Sequence, residues 1–182
     1  MAGTDPFPFD AECDIAAVTY GPGEPPDALI AAFVSRLTGQ GYRVAGMVQR
    51  GACRDGHIGR EVTLFPWEER LILTDAHDPR FAGIETRIMG VLDLRPDLVV
   101  LNRFGWLERC GGGWRRVIAR AMDLGLPVLV PVPQVIFRDW LDYTGGLSVR
   151  LSGSAPALED WWQSMRAEHL PGTRQNWCMT LK

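Results

Sequence analysis

Four stretches dominated by apolar residues, Ile15–Tyr20, Tyr42–Gln49, Leu98–Leu101 and Pro127–Val132, recur along the chain with helix-like segments between them. A strand with one wet face alternates polar and apolar residues, whereas a nearly continuous apolar run asks to be covered on both sides. Strands of that kind separated by helices predict an α/β fold: a three-layer sandwich built on a mainly parallel sheet.

The intervening segments carry their own signals. Asp27 to Leu37 is apolar on nearly all sides, a buried helix with Asp27 as N-cap and Gly39 or Gly41 at its end. Arg60–Phe65 and Arg70–Thr74, separated by Pro66-Trp67-Glu68-Glu69, read as an inserted β-hairpin. Asp78-Pro79 opens a helix that places Phe81, Ile84, Ile88, Val91 and Leu92 on one face. A further helix runs from about Trp114 to Leu124 with Gly125 beyond its end, and Gln134–Tyr143 is a short helix before a last strand at Leu147–Leu151. Residues 1–13 read as an irregular arm, 14–152 as the α/β domain, and 153–182 as a helix and tail packed on the domain or on a partner. The adjacent Trp161 and Trp162 of the helix Ala157–Glu168 are not expected to share one core, which assigns one of them to a second subunit.

Composition narrows the chemistry. The formal charge of -3 argues against a generic nucleic-acid binder, and no apolar run is long enough to span a bilayer. The first residues lack the basic and apolar regions of a secretory signal, so a cytoplasmic location is expected, with the cysteines reduced. Of 19 basic residues only Lys182 is a lysine, which removes Schiff-base chemistry, lysine general bases and the phosphate-binding lysine of a P-loop. Cys53 and His57 form an isolated C-x-x-x-H without the further ligands a zinc site requires, so no metal site is expected.

In a parallel α/β sheet ligands bind beyond the C-terminal strand ends, here the loops 20–27, 49–57 and 102–113. The first loop stands where a Walker A loop would stand, yet beside Gly21 and Gly23 it has three prolines, Glu24 and Asp27, with neither lysine nor a magnesium-binding hydroxyl. The third opens on Asn102-Arg103 where a Walker B strand would present acids, and a guanidinium there suits an oxyanion rather than a magnesium ion. Gly111, Gly112 and Gly113 precede a helix among several arginines, and read either as a connector or as an anion nest. Arg50 and Arg54 in the second loop would assist.

Val48-Gln49-Arg50, Asn102-Arg103-Phe104-Gly105, Pro127-Val128-Leu129 and Tyr143-Thr144-Gly145-Gly146-Leu147 resemble the bacterial DUF2478 family over about residues 14–152. The strand at Leu98–Leu101 with Asn102–Gly105 and Glu108 is more distantly similar to nucleoside-triphosphatases of the THEP1 type. The resemblance implies a P-loop NTPase-like fold and an association with molybdenum or molybdate, but no cofactor or established activity. The expected function is non-hydrolytic binding of a small anion or nucleotide at Arg103 and Asn102, aided by Gly111–Gly113, Gly21, Gly23, Arg50 and Arg54, with NTP hydrolysis disfavoured. The alternative is a partner-binding or assembly protein, dimeric in solution, with a vestigial cleft and an exposed apolar patch at Trp161, Trp162 and Trp177.

Overall fold

Successive residues of the apolar strands point to opposite sides of one sheet, and both sides are buried. Ile15, Ala17, Val99, Leu101, Val128 and Val130 belong to one core, while their neighbours Ala16, Val18, Leu98, Val100 and Leu129 belong to another. This is the period-two geometry of a strand expressed in a sheet that has no wet face. The computed structural model describes residues 14–52, 59–74 and 78–168. The predicted arm, Cys53, Arg54, His57 and Trp177 lie outside the described residues.

The elements run β1 (Ile15–Tyr20), α1 (Asp27–Gly39), β2 (Val44–Ala52), β3 (Arg60–Phe65), β4 (Glu69–Leu73), α2 (Arg80–Leu92), β5 (Leu98–Val100), α3 (Trp106–Arg109), α4 (Arg115–Asp123), β6 (Val128–Pro133), a 3-10 turn at Gln134–Ile136, α5 (Phe137–Thr144), β7 (Val149–Leu151) and α6 (Ala155–Glu168). The sheet order is β4-β3-β2-β5-β6-β1-β7. Strands β2, β5, β6, β1 and β7 are parallel, and the β3–β4 hairpin extends one edge in antiparallel fashion. The first two strands are therefore parallel but not adjacent, because β6 and β5 lie between them. Helices α2, α4 and α5 cover one face and α1 and α6 the other, giving a P-loop NTPase-like three-layer sandwich.

Two local features fix the strand spacing near the centre. Gly46 in β2 has φ +123°, and a Cβ there would stand 1.9 Å from the Val100 carbonyl oxygen of β5, so only glycine allows the two backbones to pair. Arg50 is the extra residue where β2 shifts register against β3 between Gln49 and Gly51, and its Nε donates to Thr63 Oγ1 at 2.9 Å.

The expectation for the tail helix is corrected: Trp161 and Trp162 are both buried in the domain's own core, 4% and 3% exposed. Trp162 meets Tyr42 and Phe33 edge-on at 5.2 and 6.5 Å, and Leu158 and Met165 complete the packed face of α6. A helix seated in the groove beside α1 presents about a third or more of its circumference to the core, room enough for neighbouring side chains about 100° apart. The apolar patch expected at these two residues is therefore absent.

Candidate ligand-binding cleft at the end of β5

Because β1, β2 and β5 run in the same direction, their C-terminal ends lie at one end of the sheet, and a buried polar cluster joins Asp27 after β1, Gln49 in β2 and Arg103 after β5. Asp27, from the first turn of α1, is 7% exposed. Its Oδ2 accepts from Gln49 Nε2 at 2.5 Å, and both of its carboxylate oxygens lie 3.4 Å from Arg103 Nη2. Asp27 is thus not the N-cap of α1; that position is Pro26, and the carboxylate turns inward to the amide and the guanidinium instead. The two 3.4 Å contacts are long for charge-assisted hydrogen bonds, so Asp27 orients Arg103 without saturating it. The Nε of Arg103 is buried and has no hydrogen-bond partner among the described residues. Tyr20 stands close by; burial pushes its phenol above the ordinary value, opposed by the Arg103 guanidinium and reinforced by Asp27, so it is neutral at physiological pH.

The turn that carries Arg103 is fastened on every side. Leu101 and Phe104 donate their N–H groups to the Leu129 and Pro131 carbonyls of β6, at 3.2 and 3.0 Å. Phe104 is fully buried against Trp140 and Tyr143, with ring centroids 5.2 and 5.7 Å away. Asn102 Oδ1 accepts from Trp114 Nε1 at 2.5 Å. Glu108, also buried, accepts from Gly105 N–H through Oε2 at 2.8 Å and from Trp114 N–H through Oε1 at 3.0 Å. Its carboxylate sits against Gly113, where φ is +59° and a Cβ would come within 2.0 Å of Oε1. The chain's own Glu108 carboxylate therefore occupies the space beside Gly113 that a side chain would take.

Beyond Arg103 lies a cleft of about 690 Å³ between the β3–β4 hairpin, the start of α2 and the α3–α4 segment. Arg60, Gln49, Asn102 and Trp114 line it with Arg103, and Arg60 makes no ion pair with any described residue. Asp78, also at the wall, is engaged by Arg80: the guanidinium donates to Oδ1 and Oδ2 at 2.8 and 2.6 Å, and the Arg80 N–H to Oδ1 at 3.1 Å. These contacts, with the Thr74 N–H, hold the Asp78 carboxyl well below the usual carboxylate range despite its desolvation. Asp78 stands one position ahead of Pro79, the residue directly before α2, and its Oδ1 accepts the N–H of Arg80, the first residue of that helix.

A second, larger cleft of about 1090 Å³ lies between the 20–27 loop, β7 and α6. Its acids are Glu24 and Asp160, and its one arginine, Arg150, donates to Thr19 Oγ1 at 3.2 Å and lies over the Phe137 ring. This cleft is the larger of the two but carries one arginine, whereas the cleft at Arg103 carries two, Arg60 and Arg103, along with the acids Asp78, Glu85 and Glu108.

The residues singled out from the sequence are thus divided. Asn102, Arg103 and Gly113 line the cleft at β5, and Gly21 lines the second cleft. Arg50 lines neither, its guanidinium being turned to Thr63 on β3. Gly23, Gly111 and Gly112 also line neither. Sequence reasoning missed Asp27 and Gln49 as members of the polar cluster and Arg60 as part of the cleft wall. Gln49 carried the same signal as Asn102, a polar residue closing an apolar strand. Arg60 offered none, since it opens an ordinary alternating strand. Among the described residues no group of three or more His, Cys, Asp or Glu is placed to hold a metal ion, and no helix is long and apolar enough to cross a membrane.

No solved structure matches the chain. The molybdenum import ATP-binding protein ModC 2 of Bradyrhizobium diazoefficiens is 31% identical over 191 residues; the match takes in 92% of this chain and 21% of that protein. The chain thus spans about a fifth of the length of this relative. The family model described as a protein of unknown function, DUF2478, matches residues 15–161, from the first residue of β1 into the middle of α6. With nearly the whole sandwich inside that match, the chain belongs to the DUF2478 family.

Proposed function

We propose that the protein binds a small anion or nucleotide without hydrolysing it, and that the anionic group is received by Arg103 in the cleft at the end of β5. One observation carries the reading: a guanidinium at a C-terminal strand edge whose Nε is buried without a partner among the described residues, and whose only described carboxylate is 3.4 Å away. An oxyanion there would complete the coordination that Asp27 leaves unfinished. Arg60 and the amides of Gln49 and Asn102 supply further polar groups around the same space. The sequence favours binding over turnover, because the first loop has no lysine and Asn102-Arg103 replaces the acids that would hold magnesium. The name of the relative, a molybdenum import protein, makes molybdate one ligand to try, although the shared stretch is a fifth of that protein.

Calorimetric titration of the full chain with phosphate, molybdate, ATP and GTP tests the reading. Binding of at least one is expected, weakened roughly tenfold or more by Arg103→Gln, the scale of a lost hydrogen bond to a charged group. No heat from any of the four at millimolar concentration would remove it, as would magnesium-dependent turnover of ATP or GTP.

A further inference from the structure

The cleft at Arg103 is much roomier than a bare oxyanion needs. At about 690 Å³ it falls within the range of pockets that enclose small organic ligands, roughly 300–1,000 Å³. Much of its wall is apolar, supplied by Val62, Leu73, Phe81 and Leu107 together with the Trp114 ring. Trp106, 70% exposed, adds an indole at the rim.

Three buried side-chain atoms of the described residues have no hydrogen-bond partner among them: Arg103 Nε, Glu85 Oε1 and Trp162 Nε1. Both Arg103 and Glu85 line this cleft, one offering a donor and the other an acceptor. Glu85 Oε1 forms an ion pair with Arg116 Nη1 at 3.7 Å, a separation too long for a hydrogen bond. The other carboxylates of the wall are already used, Asp78 by Arg80 and Thr74, and Glu108 by the N–H groups of Gly105 and Trp114. A buried polar atom without a partner is costly, and the cleft holds two of opposite kind.

An inorganic oxyanion could satisfy Arg103 but would be repelled by Glu85. A ligand with an anionic group at one end and N–H donors at the other would satisfy both, with its flat body against the apolar wall. We infer that the natural occupant is an organic anion of this two-ended kind: a phosphorylated planar heterocycle whose ring edge presents adjacent N–H donors to Glu85, as the N1–H and exocyclic amine of guanine do. Adenine presents a ring acceptor at the equivalent position, which a carboxylate disfavours. This rests on the anion-binding reading above and narrows it.

Titrations of the full chain with GMP, AMP and inorganic phosphate separate the two levels. GMP is expected to bind at least about tenfold more tightly than AMP or phosphate, because a site built to pair polar groups rejects a ligand that leaves them unpaired. Glu85→Ala should lower GMP affinity about tenfold or more and strengthen phosphate binding, since a negative charge has left the wall. Glu85→Gln, which keeps shape and volume, should also abolish the GMP preference. Arg103→Gln should weaken GMP and phosphate alike. Equal affinity for GMP and AMP, or a GMP preference that survives both Glu85 substitutions, would overturn the inference while leaving anion binding intact. No binding of any probe, phosphate included, would overturn the anion reading and this one with it.

Discussion

Replacing Glu108 with alanine tests what holds the Asn102–Gly105 turn in place. Glu108 is 5% exposed, and its carboxylate accepts from the Gly105 and Trp114 N–H groups at 2.8 and 3.0 Å. Alanine removes both acceptors and leaves two backbone donors where only water entering from the cleft can reach them. Each orphaned buried donor costs about 1–3 kcal/mol, so the gross loss is about 2–6 kcal/mol. Freeing a buried carboxylate and admitting water recovers part of this, leaving a net destabilisation of about 2–4 kcal/mol. At roughly 2–4 °C per kcal/mol for a domain of this size, the melting midpoint should fall by about 5–15 °C in scanning calorimetry. Glu108→Gln keeps one acceptor oxygen but sets an amide N–H2 against the other donor, so roughly half the loss is expected. The bare N–H groups of Gly105 and Trp114, which precede α3 and α4, also form an anion site, and formate at tens of millimolar should raise the midpoint of Glu108→Ala more than that of the parent. An alanine variant within about 0.5 kcal/mol of the parent, the range of ordinary surface substitutions, would refute the role given to Glu108.

Two further predictions concern stability. Gly46→Ala should cost about 3 kcal/mol or more, because the added carbon meets a backbone oxygen of β5 that cannot move without breaking the β2–β5 pairing; urea unfolding with an unchanged midpoint would contradict this. Asp78 has a carboxyl held below its unfolded value of ~3.9, so its contribution is complete above that value and is lost as the pH falls through the lower folded value. Asp78→Asn should accordingly destabilise the protein at neutral pH and flatten the acid limb of a plot of melting midpoint against pH below about 4; parallel limbs for variant and parent would exclude the Arg80 pairing as the cause.

Much of the architecture was legible in the chain because burial on two faces leaves a compositional mark. The runs at Ile15–Tyr20 and Leu98–Leu101 read as strands covered on both faces, and the hairpin of Arg60–Phe65 with Arg70–Thr74 was marked by the turn residues between its strands. The site was legible only in part. Asn102 and Arg103 stood out because a polar pair closed an apolar strand, and the structure places both at the cleft. Asp27 was misread for a good local reason: an aspartate before a buried helix normally caps it, and nothing nearby in sequence reveals an amide and a guanidinium 22 and 76 positions away. The paired tryptophans failed similarly, because helical spacing states where side chains point but not how deep the groove is.

What the amino-acid order determined by itself was the sequence of strands and helices, the two-sided burial of the sheet and the absence of a phosphate-gripping lysine, since each follows from residue type and short-range period. What tertiary structure alone decided was which polar groups meet: Asp27 with Gln49 and Arg103, Glu108 with the backbone at Gly105 and Trp114, and Glu85 at the same cleft as Arg103. Electrostatic partnership depends on distances of a few ångströms between loops far apart in the chain. Those distances exist only after parallel strands have brought their C-terminal ends to one end of the sheet.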